Sequence, residues 1–194
     1  MKAKIREFIK SDIEKIVDYF IEAESDFLKE MGADKSKLPK REKWVKNLQS
    51  ELVKPYREKD YYYIIWLLDE KPVGHSNVNQ IDFRESATMH LHLWKNGMRK
   101  SGLGLEFLKM TIPLYFEKLE LKKLICEPYS ENVAPNRILK KVGFDLIRTY
   151  ETIPGPINFK QKVNRYELTK GQLKEMKTAY NNGYNSLWFC ATPK

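Results

Sequence analysis

The residues best suited to chemistry in this sequence lie between positions 90 and 105. Two of its three histidines, His90 and His92, stand in one apolar run, and the segment RKSGLG follows at 99–104, ahead of a helical apolar pattern. The first N–H groups of a helix have no intrahelical acceptor and carry the positive end of the helix dipole. Cations and glycines at such a helix start therefore indicate a site for an anion such as a phosphate.

The glycine spacing excludes two common phosphate-binding loops. A P-loop requires four residues between a glycine and Gly-Lys-Ser or Gly-Lys-Thr, and no such run occurs. A dinucleotide fingerprint requires a third glycine three residues after Gly104, where Phe107 stands. Taken alone, the remaining Gly-x-Gly pattern fits an anion-binding loop or a plain structural turn.

The histidine pair suggests acid–base chemistry, because imidazole titrates near neutral pH and can take a proton from an amine directly or through water. Alternation along a strand places His90 and His92 on one face, opposite the apolar residues at odd positions. The alternative is that both rings are structural and satisfied by hydrogen bonds. The third histidine, His75, follows Gly74 in an earlier strand and is interpreted as structural.

Hydrophobic periodicity predicts a mixed α/β order of elements around these residues. Strands are predicted at 4–10, 61–68, 72–81, 87–94, 122–128, 145–153 and 163–169, and helices from Ser11, at 40–53, from Gly102 and at 132–144. The aromatic strand at 61–68 is expected to belong to the core. One domain over residues 1–170 is predicted, followed by an appendage at 171–194 that is part helix and part loop.

Composition favours one globular protein in a reducing compartment. The 194 residues carry 35 Lys and Arg against 26 Asp and Glu, a formal charge of +9 that suits anionic ligands. The charges are dispersed, so neither nucleic acid nor a membrane is expected as a partner. Two cysteines offer no disulfide framework, and the N-terminus lacks a signal-peptide pattern. The expected location is the cytoplasm. The apolar SLWFCA at 186–191 could add a strand, cover the core or form a homodimer contact.

Two ordered motifs resemble those of the GCN5-related N-acetyltransferases (GNAT). The first, Arg99-Lys100-Ser101-Gly102-Leu103-Gly104, matches the family signature Arg/Gln-x-x-Gly-x-Gly/Ala, although Lys100 stands where glycine is frequent. The second comprises Glu127-Pro128, Asn132, Ala134 and a helix that ends in LKKVGF at 139–144. The opening KIREFIKSDIEKIVDYF is also similar to the family's first strand and helix, so the resemblance covers about residues 3–170.

The resemblance implies the GNAT fold: a mixed, mostly antiparallel central sheet, splayed between the fourth and fifth strands, with helices on both faces. It implies acetyl-coenzyme A (acetyl-CoA) as co-substrate, with its pantetheine arm in the splay, and no metal. The cofactor-binding residues that it implies are Trp94, Arg99, Lys100, Ser101, Gly102, Leu103, Gly104, Leu105 and Asn132.

The chemistry of amide formation requires a base for the amine, a donor for the oxyanion and an acid for the thiolate. The resemblance favours His90 as the base, because a siderophore-type branch carries a strand histidine at the same distance before the first loop glycine. Glu127 is a second candidate, as a base, as an anchor for the amine or as a locally paired carboxylate. Many members use a tyrosine as the acid where this sequence has Leu139, which removes the commonest acid.

The sequence thus predicts direct acetyl transfer to a primary amine, with a small molecule as the favoured acceptor. His90 and Glu127-Pro128 support siderophore-type or polyamine-like acceptors, whereas the 132–144 run is similar to the branch that modifies ribosomal-protein N-termini. Pro135 stands where that branch often has serine, which questions one coenzyme contact. A non-catalytic acyl-CoA-binding module is a third alternative.

Overall fold

The structure is a computed structural model that describes residues 2–94 and 102–181. Its strands are β1 (Ala3–Glu7), β2 (Tyr62–Leu68), β3 (Lys71–Asp82), β4 (Ser86–Leu93), β5 (Lys123–Cys126), β6 (Asp145–Thr152) and β7 (Gln161–Thr169). Its helices are α1 (Ile13–Ile21), α2 (Ser25–Glu30), α3 (Arg41–Val53), α4 (Leu103–Lys118), α5 (Val133–Val142) and α6 (Lys170–Asn181). The predicted strands and helices are confirmed with shifted boundaries, and α2 was not predicted.

The seven strands form one sheet in the order β1-β2-β3-β4-β5-β7-β6. Every neighbouring pair is antiparallel except β4 and β5. These two parallel strands pair only at Ser86–Thr88 with Lys123–Ile125, and β4 then continues to Leu93 with no partner from β5. The predicted splay between the fourth and fifth strands is confirmed, and we call the opening beyond Thr88 the strand gap.

Helices cover both faces of the sheet, because the side chains of β2 alternate between two cores. Tyr62, Ile64 and Trp66 belong to a core shared with α4 and α5, while Tyr63 and Ile65 pack with α1 and α3. On the α4 face, the Trp66 ring stacks on Phe107 at 5.1 Å between centroids. The Trp66 indole N–H also donates to Thr111 Oγ1 at 3.0 Å, so this large buried ring keeps its one polar group satisfied.

The start of α1 differs from the predicted helix start at Ser11. A 3₁₀ turn at Lys10–Asp12 precedes the helix, which begins at Ile13 without a side-chain cap. The buried Asp12 carboxylate instead accepts bonds from the Arg6 guanidinium and from the Ile9 N–H. The nearest charged donor therefore outcompetes the helix terminus for this carboxylate, because charge-assisted hydrogen bonds are the stronger ones.

Two connecting segments far apart in sequence are joined beside the sheet. The 153–160 segment, between β6 and β7, meets the 31–38 segment that follows α2. Asp34 N–H donates to Ile157 C=O at 2.7 Å, and the side-chain amides of Asn158 and Gln161 both donate to Gly32 C=O at 2.8 Å. Gly32 has φ +83°, and a Cβ there would lie 2.2 Å from Gln161 Oε1. This junction therefore requires glycine.

The last described helix, α6, packs on the domain. Leu173 is buried in the α4-side core, and the Met176 side chain lies over Gly143, the glycine that ends α5 in a left-handed conformation. The boundary at 170 and the interpretations of the 186–191 run, which lies outside the described residues, stay predictions. Among the residues that the structure describes, no helix has the length and apolarity to cross a membrane.

Candidate active site

A cavity of about 190 Å³ lies on the α1 and α3 face of the sheet. Its floor is formed by β2, β3 and β4, and its walls come from α1, α3 and the 31–38 and 153–160 segments. We call it the aromatic cavity. Its lining residues are Phe20, Met31, Ala33, Pro39, Trp44, Asn47, Leu48, Tyr61, Tyr63, Asn77, Asn79, His90, His92, Gly155, Pro156, Ile157 and Asn158.

Strand alternation places both β4 histidines on the floor of this cavity, as predicted. His90 is paired across the strands with Asn77, and its Nε2 lies 3.0 Å from Oδ1 of Asn79, its diagonal neighbour on β3. An amide oxygen can only accept, so this contact places the proton of a neutral imidazole on Nε2. The Nδ1 atom of His90 is then the atom that can take up a proton.

Burial keeps His90 neutral. The surrounding protein lowers the pKa of His90 to about 4, and the negative charge of Glu127 opposes part of this shift. Desolvation disfavours the cationic form of a histidine, which explains the direction. At neutral pH the ring is therefore a free base, and the Asn79 oxygen is placed to stabilise the imidazolium that forms when Nδ1 is protonated.

The main-chain N–H and C=O groups of the residue after His90 face the strand gap. The Trp94 N–H donates to Val73 C=O at 2.9 Å. Bonding alternates along an antiparallel strand, so the main-chain groups of His90 and His92 also face β3, and those of Leu91 and Leu93 face the strand gap. At its closed end, Cys126 Sγ–H donates to Met89 C=O at 3.1 Å.

The first turn of α4 has the geometry of an open anion site. Gly102 precedes the helix with φ +83°, and a Cβ there would meet no atom of the described residues within 4 Å. The Leu105 N–H already donates to Gly102 C=O at 3.0 Å, whereas Leu103 and Gly104 hold first-turn N–H groups that have no intrahelical acceptor. Gly104 also permits close packing, since a Cβ there would lie 3.0 Å from Ile138 Cδ1.

The two remaining sequence candidates on this side of the sheet differ in their bonding. The Glu127 carboxylate accepts from Arg165 Nη1 at 2.8 Å and from Tyr150 Oη at 2.7 Å, the local pairing that was one of its alternatives. Asn132 precedes α5 and makes no side-chain capping bond. Its C=O accepts from the Asn136 amide at 2.7 Å. The Asn132 side chain is thus the more available of the two for a ligand.

The sequence of this chain matches the model of the acetyltransferase (GNAT) domain family over residues 3–145. The chain belongs to the GNAT acetyltransferase family. No curated protein sequence matches it.

Solved structures share this GNAT fold at low sequence identity. An aminoglycoside acetyltransferase, AAC(6')-Ib, with coenzyme A and kanamycin has a TM-score of 0.70 and 15% identity over 91% of this chain and 99% of its own. RimL, a ribosomal L7/L12 α-N-protein acetyltransferase with coenzyme A, has a TM-score of 0.72 and 13% identity, over 89% of this chain and 96% of its own. Spermidine N-acetyltransferase from Vibrio cholerae with coenzyme A and spermine has a TM-score of 0.71 and 12% identity, over 88% of this chain and 96% of its own.

Trp94, predicted from the resemblance to contact the coenzyme, uses both of its N–H groups within this GNAT protein, and its coenzyme contact stays a prediction. Its N–H is bonded to Val73, and its indole N–H donates to His75 Nδ1 at 2.8 Å. The main-chain groups that face the strand gap are those of Leu91 and Leu93, because the residue at 94 falls on the β3-facing side of the alternation. Arg99, Lys100 and Ser101 lie outside the described residues and stay predictions.

Other features of the cavity escaped the sequence prediction. Tyr62, Tyr63 and Trp66 are in the core as expected, and Tyr61 and Tyr63 also line the aromatic cavity. Asn79 was not singled out, although its alternation with Asn77 on a strand was visible in the sequence. No sequence pattern predicted that the 153–160 segment lines the cavity, because the position of a loop depends on long-range hydrogen bonds.

Leu139 has no chemical role in the observed geometry. Its side chain is fully buried in the α4-side core, among residues such as Phe107 and Tyr166. It carries no proton to give, and the neighbouring Cys126 thiol has a pKa raised by burial to about 12, so it is a poor acid. Among the described residues, no group of three or more His, Cys, Asp or Glu is placed to hold a metal ion.

His75 predicts a measurable acid sensitivity of the fold. Burial lowers the pKa of this fully buried ring to about 3. The unfolded chain therefore takes up a proton near pH 6.5 and the folded chain does not, so stability is complete above pH 6.5 and falls as the pH drops towards 3. Between pH 6 and 4 we expect the free energy of unfolding to fall by about 1.4 kcal/mol for each pH unit of acidification because of His75.

Urea unfolding at several pH values measures this dependence. The matched variant is His75→Asn, whose amide oxygen can accept the Trp94 indole N–H but does not titrate. Its stability should change less steeply with pH than that of the natural chain. Equal slopes for the two proteins would contradict the assignment of a neutral, buried His75.

Proposed function

We propose that this protein is an acetyl-CoA-dependent N-acetyltransferase that transfers an acetyl group directly to the primary amine of a small molecule. The observation that carries the proposal is the adjacency of two sites on β4. His90 faces the aromatic cavity, and the main chain of the next residue, Leu91, faces the strand gap. An amine in the cavity and a thioester in the gap would meet at residues 90 and 91.

The described residues fit the co-substrate in three places. The strand gap offers the main-chain groups of Leu91 and Leu93 to an extended, amide-containing arm such as pantetheine. The start of α4 offers the N–H groups of Leu103 and Gly104 to a pyrophosphate, with the positive end of the helix dipole behind them. The Asn132 side chain lies at the start of α5 without a capping bond. Arg99, Lys100, Ser101 and Leu105 complete the proposed coenzyme set.

The chemistry follows from the roles of this chain's own groups. His90 Nδ1 accepts the proton that the ammonium must lose before its nitrogen can attack a thioester carbonyl. When the tetrahedral adduct collapses, the C–S bond breaks, and the second proton that the nitrogen loses balances protonation of the leaving thiolate through water. Asn79 Oδ1, 3.0 Å from Nε2, holds the ring and stabilises its cationic form. The Leu91 N–H faces the place where negative charge develops on the carbonyl oxygen. Glu127 acts at a distance, since its charge raises the basicity of His90.

Two other functions compete with this one. RimL is an N-terminal protein acetyltransferase of similar fold, and the 132–144 run favours that branch. A non-catalytic acyl-CoA-binding module would be compatible with the buried Leu139. We favour catalysis on a small acceptor, because the neutral His90 opens into a cavity of small-molecule size.

Incubation of the purified protein with acetyl-CoA and a panel of primary amines tests the proposal. We expect release of free thiol that depends on both the protein and an amine, with the acetylated product seen by mass spectrometry. Coenzyme binding without turnover of any amine or peptide would instead identify a binding module. Turnover of peptide N-termini alone would assign the protein to the N-terminal branch.

A further inference from the structure

The aromatic cavity has no Asp, Glu, Lys or Arg among the described residues that line it. Its walls are aromatic and aliphatic, and its polar groups are mainly the neutral amides of Asn47, Asn77, Asn79 and Asn158. His90 is held neutral by burial. A site built in this way recognises an apolar body and hydrogen-bonding groups, and it offers a cation only the faces of its rings.

Four carboxylates on or beside the elements that form the cavity are paired with cations of this chain. On α1, Asp18 Oδ1 lies 2.6 Å from Arg41 Nη1, and Glu14 Oε2 lies 2.8 Å from the same nitrogen. Lys54 Nζ lies 2.5 Å from Glu51 Oε1 and also binds the Asp60 carboxylate beside β2. None of these carboxylates is among the described residues that line the cavity, so the described lining offers no carboxylate to a second ammonium.

The charge of the cavity limits how many ammonium groups a bound acceptor can carry. One ammonium is consumed by the reaction, because its proton passes to His90 and its nitrogen becomes an amide. A second ammonium would stay charged in a site without a carboxylate, where its lost hydration is poorly replaced. Ring faces recover only part of that cost. The uncharged lining therefore disfavours binding of a polyamine and favours an acceptor that is uncharged apart from its reacting amine.

The size of the cavity limits that body. Its volume is about 190 Å³, and a cavity of roughly 150 Å³ lined by apolar side chains holds one benzene molecule. One ring, or an aliphatic chain of similar volume, matches this cavity, whose lining includes Trp44, Tyr63 and His90.

We propose that the acceptor is a small monoamine whose body is a single uncharged ring or an aliphatic group of similar size, and that polyamines are poor acceptors. This inference rests on the proposed function and narrows its substrate class. It departs from the polyamine-like acceptors that the sequence resemblance favoured, and from the spermine and kanamycin named with two structures of similar fold. The difference lies in the described lining of the cavity, which holds no carboxylate.

Matched amines test the proposal on the full chain with saturating acetyl-CoA. Hexylamine and 1,6-diaminohexane have the same carbon chain and differ by one ammonium, while 2-phenylethylamine adds a ring and spermidine adds charge. We expect kcat/KM for hexylamine and 2-phenylethylamine to exceed that for 1,6-diaminohexane and spermidine by about a hundredfold. Equal or better use of the polyamines overturns the inference and leaves the proposed function intact.

A charge-adding variant separates electrostatics from shape. Asn47→Asp introduces a carboxylate of nearly the same shape on an exposed lining position of α3. It should raise kcat/KM for 1,6-diaminohexane by about two- to fivefold relative to hexylamine, the range of an exposed ion pair. The control Gln49→Glu adds the same charge on the same helix at an exposed position that does not line the cavity, and it should leave the ratio unchanged.

The remaining outcomes are also decisive. A neutral tripeptide that is acetylated faster than every free monoamine overturns the small-molecule acceptor. If kcat/KM for 1,6-diaminohexane relative to hexylamine is the same in Asn47→Asp as in Gln49→Glu, the electrostatic argument is overturned. If no amine consumes the thioester while acetyl-CoA still binds, the proposed function fails and the inference falls with it.

Discussion

Replacement of His90 by alanine is expected to lower kcat by about 10²–10⁴ fold, the usual contribution of a positioned general base. The affinity for acetyl-CoA should be unchanged, because the ring faces the aromatic cavity and the coenzyme would contact the other side of β4. Steady-state kinetics at neutral pH, with coenzyme affinity from calorimetry, measures both quantities. Unchanged turnover in His90→Ala would remove His90 from the mechanism.

Two controls distinguish loss of the base from damage to the cavity. Added imidazole should restore part of the activity of His90→Ala, because the variant leaves a space beside Asn79 that the small base can fill. In the natural protein, the pH profile of kcat/KM should show no step near 6.5, since the pKa of His90 is lowered to about 4. A step near 6.5 would indicate a solvated histidine and contradict the buried geometry.

Substitution of Gly102 by aspartate is expected to weaken acetyl-CoA binding by about a hundredfold. A Cβ at this position meets no atom of the described residues within 4 Å, so the side chain has room, and the new charge would stand at the start of α4 where the pyrophosphate is proposed to bind. Two like charges about 5 Å apart repel by about 3 kcal/mol at an effective dielectric constant of about 20. The dissociation constant from calorimetry would rise accordingly.

Gly102→Asn is the matched control for this charge. Asparagine and aspartate are similar in shape, and both tolerate the left-handed backbone that Gly102 adopts at φ +83°. The aspartate also complements the helix dipole, so its melting temperature should equal or exceed that of the asparagine variant. Equal coenzyme affinity in the two variants would mean that the anion binds elsewhere.

The coenzyme side of the protein was predictable because its signals are local. Gly102 at the start of α4 and Gly143 at the end of α5 both occupy left-handed backbone positions, and the helix and strand periods between them predicted the right elements. Alternation alone placed His90 and His92 on one face of β4. The splay came from the family resemblance, since no residue pattern in β4 or β5 shows where pairing stops.

The acceptor side was less predictable because long-range contacts form it. The short helix α2 has only six residues, too few for a clear period, and it was missed. The main-chain N–H of Trp94, a predicted coenzyme contact, is bonded to Val73, because the bonding phase of β4 is set by its register with β3. The paired carboxylates around the cavity also follow from tertiary contacts that no sequence spacing reveals.

The hydrogen-bonded junction of the 31–38 and 153–160 segments has a consequence for how new acceptor preferences arise. Both segments wall the cavity, and neither contains His90 or the start of α4. In the proposed function, joint changes in the two segments would alter the wall of the acceptor cavity without replacing His90 or the start of α4. Transplanting one of them without the other would break the bonds to Gly32 and Asp34 and leave the cavity open on that side.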